Sequence, residues 1–268
     1  MPVNKRSTSK KSVTEGFKRK SPFKDIKELE KEITDYINTH KAKIKNQASR
    51  ISDYFEMCCF NYVVKFYERH GYEIAIKNLQ DGEYRYKCST QGNQYNFSYF
   101  QIAIKPKSKW HRFQIHHNLA VQSSHEEDIF TTPDISVIRP NAIKLNEDFY
   151  EGNKKLSYVE NVDLVTFCEV KQFNPFPELL FNFIGTLNEI KNDIMKDEFQ
   201  KAEPCHIAPS LMISGKANKH AERIKESLEC RYCINMIFDL FDSGSSQFSS
   251  TQVRSLRKLE KNGGRIIN

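Results

Sequence analysis

The chain has 268 residues, with 41 Lys and Arg against 34 Asp and Glu, a hydrophobic fraction of 38%, 19 Phe and 12 Tyr. This suffices for one ordinary domain with appendages and its own buried core. No stretch approaches 18 consecutive apolar residues, the amino terminus lacks the apolar run of a signal peptide, and the seven cysteines are an odd number. Membrane spanning, ordinary secretion and a disulfide framework are therefore not expected, which leaves a cytoplasmic protein with reduced thiols.

Residues 1–24 hold eight lysines and arginines against Glu15 alone, which equals the excess of the entire chain and leaves the body formally neutral. Rich in Ser, Thr, Lys and Pro, this tail is expected to be disordered and suited to sequence-independent phosphate contacts. Asp25 then caps an expected helix over 25–38, with Ile26, Leu29, Ile33, Tyr36 and Ile37 on one stripe. A second helix is expected over 51–67, where Ile51, Phe55, Cys58, Tyr62 and Phe66 share a face and Glu56 lies at its margin. Over 72–122 the alternations Tyr84-Arg85-Tyr86-Lys87 and Tyr95-Asn96-Phe97-Ser98-Tyr99, with turn residues at Asp81-Gly82 and Gln91-Gly92-Asn93, predict an antiparallel meander. Within it, Lys105, Lys107, Lys109, Trp110, His111 and Arg112 set positive charge beside an aromatic, a composition suited to a nucleic acid backbone. His116 and His117 follow, and on a strand only one of them can face a site.

Two acidic pieces come next. Pro133-Asp134 opens the apolar run Ile135-Ser136-Val137-Ile138, and Phe167-Cys168-Glu169-Val170-Lys171 reads as a second strand. The strand period of two places Glu169 and Lys171 on one face, with Cys168 and Val170 pointing to a core. A carboxylate and an ammonium thus project side by side, and a neighbouring strand can add Asp134. Two hard oxygen ligands suit Mg2+. Pro177 then stands at the first position of an expected helix carrying Leu179, Leu180, Phe183, Ile184, Leu187 and Ile190. A strand over 207–213 and a helix from Lys219 follow. Cys230 and Cys233, two residues apart, read as packing residues and not as half of a zinc site with Cys205 and His206. The chain closes on a Ser-rich joint over 243–250 and a short basic helix over 252–261.

With Pro133, Asp134, Glu169 and Lys171, preceded by the helix bearing Glu56 and followed at once by another helix, residues 50–240 resemble the PD-(D/E)XK nuclease superfamily. The resemblance implies an α/β fold of restriction-endonuclease-like type, a mixed β-sheet core flanked by helices, here with an antiparallel meander, forming one domain over 25–242. It implies metal-dependent hydrolysis of phosphodiester bonds, with Asp134, Glu169 and Lys171 catalytic. Asp134, Glu169, the carbonyl of Val170 and, through water, Glu56 would hold Mg2+, which Mn2+ can replace. Lys105, Lys107, Lys109, Trp110 and Arg112 would contact the nucleic acid, DNA before RNA. Double-strand cutting would call for a homodimer or two successive nicks. Two rival readings stand beside it: a catalytically silent nuclease-fold module that binds nucleic acid or protein, and an effector activated by a protein partner, as in the bacterial restriction and anti-phage defence systems this fold often serves. No Q-x-x-x-Y pattern follows Lys171, so the subfamily stays open.

Overall fold

A computed structural model describes residues 51–90, 92–147, 155–196, 204–240 and 256–260, together with Thr34. The expected tail over 1–24 and joint over 243–250 lie outside these residues, as does the 25–38 helix except for Thr34, which is helical and exposed. The described elements are α1 (Ile51–Arg69), β1 (Glu73–Lys77), β2 (Tyr99–Ile104), β3 (His111–His117), β4 (Ala120–Gln122), β5 (Phe130–Thr131), β6 (Ile135–Ile138), β7 (Ile143–Asn146), β8 (Leu156–Val159), β9 (Leu164–Lys171), α2 (Pro177–Met195), β10 (Ser210–Ile213), α3 (Lys219–Arg231) and β11 (Asn235–Ile237).

The architecture is mixed α/β. Seven strands form one sheet in the order β1-β2-β3-β6-β9-β10-β11, and β5-β4-β8-β7 form a second, four-stranded sheet. From β1 to β9 the pairs of the large sheet are antiparallel, as the meander requires, and from β9 to β11 they are parallel. The parallel strands β9, β10 and β11 are joined through the crossover helices α2 and α3, as parallel pairing requires, whereas the small-sheet strands lie in the connections from β3 to β6 and from β6 to β9. β9 is thus the strand at which the sheet changes character. Against it, Ile135 pairs with Cys168 across the β6–β9 ladder, so Asp134 falls beside Glu169.

One core lies between α1 and the sheet and contains Phe55, Phe60, Phe66, Ile115, Ile135, Cys168 and Val170. The other lies beneath α2, α3 and the small sheet and contains Leu119, Val121, Phe167, Phe183, Leu187 and Leu211. The alternation at 167–170 places Phe167 in the second core and Cys168 and Val170 in the first, as the strand period requires.

Three expectations are corrected. α1 is buried nearly all round, since Met57, Cys59, Phe60, Val64 and Tyr67 are inside along with Phe55, Cys58, Tyr62 and Phe66 of the expected stripe. Residues 84–88 wrap its outer side, with the Phe60 and Tyr86 rings 5.9 Å apart, and this second layer buries what one amphipathic stripe would leave wet. Tyr84–Lys87 and Tyr95–Tyr99 are not the expected strands, apart from Tyr99, which opens β2: residues 85–88 are irregular and Gln94–Asn96 form a 3-10 turn capped by the Asn93 side chain. The alternation at 84–87 still fits, because Tyr84 and Tyr86 are both buried, but they pack on Phe60 and Phe100 without joining the sheet. Finally, residues 256–260 are extended and not helical. Lys258 bridges Ile207, the carbonyls of Arg257 and His206 accept the amides of Ala208 and Leu259, and Leu259 is buried, so this stretch belongs to the body.

Candidate functional site

Asp134 stands at the start of β6, and Glu169 and Lys171 at the end of β9, so pairing of the two strands alone brings the three together. Oδ2 of Asp134 accepts hydrogen bonds from the Val170 amide at 2.6 Å and from Lys171 Nζ at 3.1 Å. Lys171 Nζ lies 2.7 Å from Oε2 of Glu169. One ammonium therefore bridges two carboxylates. In a strand the N–H and C=O of one residue face the same edge, so the carbonyl of Val170 also points to the Asp134 side.

Glu56 reaches the cluster from α1. It feels the charges of Asp134 and Lys171, and its Oε2 is 3.6 Å from Nε2 of His117. Burial, then the fields of Asp134 and Asp53, push its carboxyl up to about 7, against a smaller pull from Lys171 and the Asn118 side chain. Burial, then Asp134, likewise holds Glu169 at about 7 in spite of its contact with Lys171. The same neighbours hold the Lys171 proton tightly, and its pKa rises although burial opposes it. The asymmetry follows from counting charges: the ammonium gains from two carboxylates, whereas Glu169 has one ammonium, one carboxylate and little water.

Of the two histidines, His117 faces this side. Its ring lies edge-on to Phe60 and Tyr86, with centroids 5.5 and 5.9 Å away. Burial lowers its pKa to about 4, so it is neutral where Glu56 is half ionised, and the pair is not an ion pair near neutral pH. His116 points to the opposite face.

Two residues that sequence reasoning passed over support the site. Asn118 adopts a left-handed backbone with φ of +49°, which asparagine tolerates, and turns the chain from β3 into β4. Its amide donates to the Asp134 carbonyl at 3.0 Å and its Nδ2 to the Lys87 carbonyl at 2.7 Å, tying β3, β6 and the 84–88 segment together. Asp53, one helical turn before Glu56, is buried and adds negative potential. Their signal was faint: an Asn directly after a strand, and a second acid at i−3.

The basic loop lies elsewhere. Lys105, Lys107, Lys109 and Trp110 form the β2–β3 turn, where Lys105 and Arg112 each stand 5.9 Å from the centre of the exposed Trp110 ring. This is the start of β3, whereas His117 at its end adjoins the carboxylates. About 20 Å of strand separates the two. Phe173 and Phe176, both exposed, follow Lys171 directly and flank the site more closely in the chain.

Among the described residues no group of three or more His, Cys, Asp or Glu side chains closes into a metal cage. None of the seven cysteines is in a disulfide; Cys230 is exposed and Cys233 buried. No helix among the described residues is long and apolar enough to cross a membrane. The donors at the β6–β9 end are of the kind Mg2+ takes from a protein, carboxylates and a main-chain oxygen. No protein-family model, no curated protein and no solved structure matches this chain.

Proposed function

We propose that the protein is a metal-dependent nuclease with a restriction-endonuclease-like core, of the PD-(D/E)XK kind, acting most readily on DNA. The observation that carries this reading is the convergence of Asp134, Glu169 and Lys171 at the paired ends of β6 and β9, with Glu56 beside them. Asp134, Glu169 and the carbonyl of Val170 would hold Mg2+ or Mn2+, with Glu56 reached through water. Bound there, the ion would neutralise the scissile phosphate and supply an activated water.

The chain's own groups do the rest. Asp134 is fixed by the Val170 amide. Lys171 carries a firmly held proton and serves as a positioned positive charge for the developing phosphorane, not as a base. Glu56, held near 7 and reached by the metal only through water, is the group able to exchange a proton with the attacking water.

A second reading is favoured by one observation: Lys171 already bridges both carboxylates. A silent module that binds nucleic acid or protein, or an effector awaiting a partner, would keep that bridge closed. The test is incubation of supercoiled, linear and single-stranded DNA with wild type and Glu169→Ala in Mg2+, Mn2+ or EDTA. Cutting that needs metal and disappears in the variant supports the nuclease. Binding without cutting in every condition supports the module or the partner-activated effector.

A further inference from the structure

On the face of β3 opposite α1 lies a cavity of about 520 Å3, lined among others by Lys77, Tyr95, Tyr99, Gln114, His116 and Asn141. Its volume falls in the range of small-molecule sites. Behind it runs a directed hydrogen-bond chain whose polarity is set at one end. Lys87 is buried, and its Nζ, which has protons to give and no acceptor while charged, donates to Oε1 of Gln94 at 2.9 Å. Gln94 must therefore turn its Nε2 to Nδ1 of His116, 3.3 Å away, which makes that nitrogen an acceptor. The imidazole, neutral in this buried place, then carries its proton on Nε2 and donates to Oε1 of Gln114 at 3.1 Å. With that oxygen engaged, Gln114 is left to present its Nε2 donors to the cavity. Gln114 is only 8% exposed, and this nitrogen has no protein partner among the described residues.

Three further groups converge without a hydrogen bond among the described residues: the Tyr99 hydroxyl, the Asn141 amide and the Lys77 ammonium. Tyr99 is stacked on His116 with centroids 4.7 Å apart, so its ring is held in place. At the rim Tyr95 is 59% exposed, yet its hydroxyl is tied to the Ile143 carbonyl at 3.2 Å, which fixes a flat aromatic surface. Among the described residues no carboxylate lines the cavity. The set amounts to neutral hydrogen-bonding groups, one aromatic platform and one cation.

We propose that this cavity binds a mononucleotide: the base stacks on Tyr95, Gln114 and Asn141 meet its polar edge, and Lys77 meets its phosphate. The site is independent of the hydrolytic reading and of its carboxylates. Lys87, whose side chain anchors the hydrogen-bond chain, also accepts Nδ2 of Asn118 at its carbonyl.

The test is calorimetric titration of the full chain in EDTA with AMP, GMP, CMP and UMP, each with its nucleoside, and with inorganic phosphate. At least one mononucleotide is expected to saturate at one per chain, with the nucleoside weaker and phosphate alone much weaker. Lys77→Ala, on an exposed position, should weaken the nucleotide about tenfold and spare the nucleoside, and Tyr99→Phe should weaken both by a similar factor. Glu169→Ala should change neither, and melting curves establish that the variants fold. The proposal is overturned if no mononucleotide saturates, if phosphate binds as well as the nucleotide, if affinity survives both cavity variants, or if it is lost in Glu169→Ala.

Discussion

Glu169 and Lys171 meet with Nζ 2.7 Å from Oε2, yet their pairing does not bring Glu169 down to the ordinary carboxylate range. Burial and Asp134 outweigh the ammonium, and the carboxyl stays at about 7. A carboxyl whose folded pKa exceeds its unfolded value binds more protons in the folded state between the two. Its contribution to stability is therefore present in acid and is lost as pH rises from about 4.5 to 7.

Glu169→Gln, which mimics the neutral form, should accordingly be at least as stable as wild type at pH 8. The full displacement from 4.5 to about 7 is worth about 3 kcal/mol, and loss of the contact to the partly exposed Lys171 offsets part of it. The expected net gain is about 1 kcal/mol at pH 8, shrinking towards zero at pH 5. Urea unfolding at the two pH values measures it. On the proposed nuclease reading, in which Glu169 would hold the metal, cleavage by the same variant should fall at least about 100-fold.

Lys171→Met separates metal binding from chemistry. The ammonium sits between the carboxylates that would hold a divalent ion, so removing it lifts a competitor and leaves two negative groups unpaired. Without metal the variant should lose about 1–2 kcal/mol at pH 8. With millimolar Mn2+ its melting temperature should rise further than that of wild type, while cleavage drops at least about 100-fold. An unchanged metal response would count against a site between Asp134 and Glu169.

Metal affinity should depend on pH in the neutral range. Glu56 and Glu169 each hold a proton up to about 7, and a ligand must release it. Between pH 8 and 6 the apparent Mn2+ affinity is expected to weaken by about tenfold or more, with proton uptake on dissociation. Titration calorimetry in two buffers of different ionisation enthalpy counts those protons directly.

Gly215→Ala tests the loop between β9 and α2. A Cβ there would lie 2.3 Å from Oδ1 of Asn174 and 2.5 Å from the backbone oxygen of Phe173, and the Gly215 amide donates to that same oxygen at 3.1 Å. Backbone cannot yield as a side-chain tip can. The substitution should cost about 2–4 kcal/mol by denaturant unfolding and lower cleavage by displacing the chain just beyond Lys171.

How much of this was legible in sequence differs by residue, for physical reasons. The face shared by Glu169 and Lys171, the burial of Cys168 and Val170, and the start of α2 at Pro177 are local consequences of a strand's period and of proline's missing amide. They could be read directly. The proximity of Asp134 to Glu169 was an expectation that needed the β6–β9 register, since a slip of one residue would turn either carboxylate to the other face. Glu56 was visible only as a residue at a helix margin; its displaced pKa comes from the charges and burial supplied by other elements.

Other features were decided by tertiary structure alone. Lys87 reads as the exposed end of an alternating strand, yet it is buried, because Gln94 and the segment's wrap around α1 give its ammonium a partner. The Lys87–Gln94–His116–Gln114 chain joins residues from three separate stretches, and no spacing rule encodes it. The basic β2–β3 turn was readable as charge beside an aromatic, but its position at the far end of β3 from the carboxylates followed only from the direction of that strand. Sequence periodicity set which residues shared a face and which faced a core; the pairing of strands, and burial imposed by distant segments, decided which charges met and how strongly each held its proton.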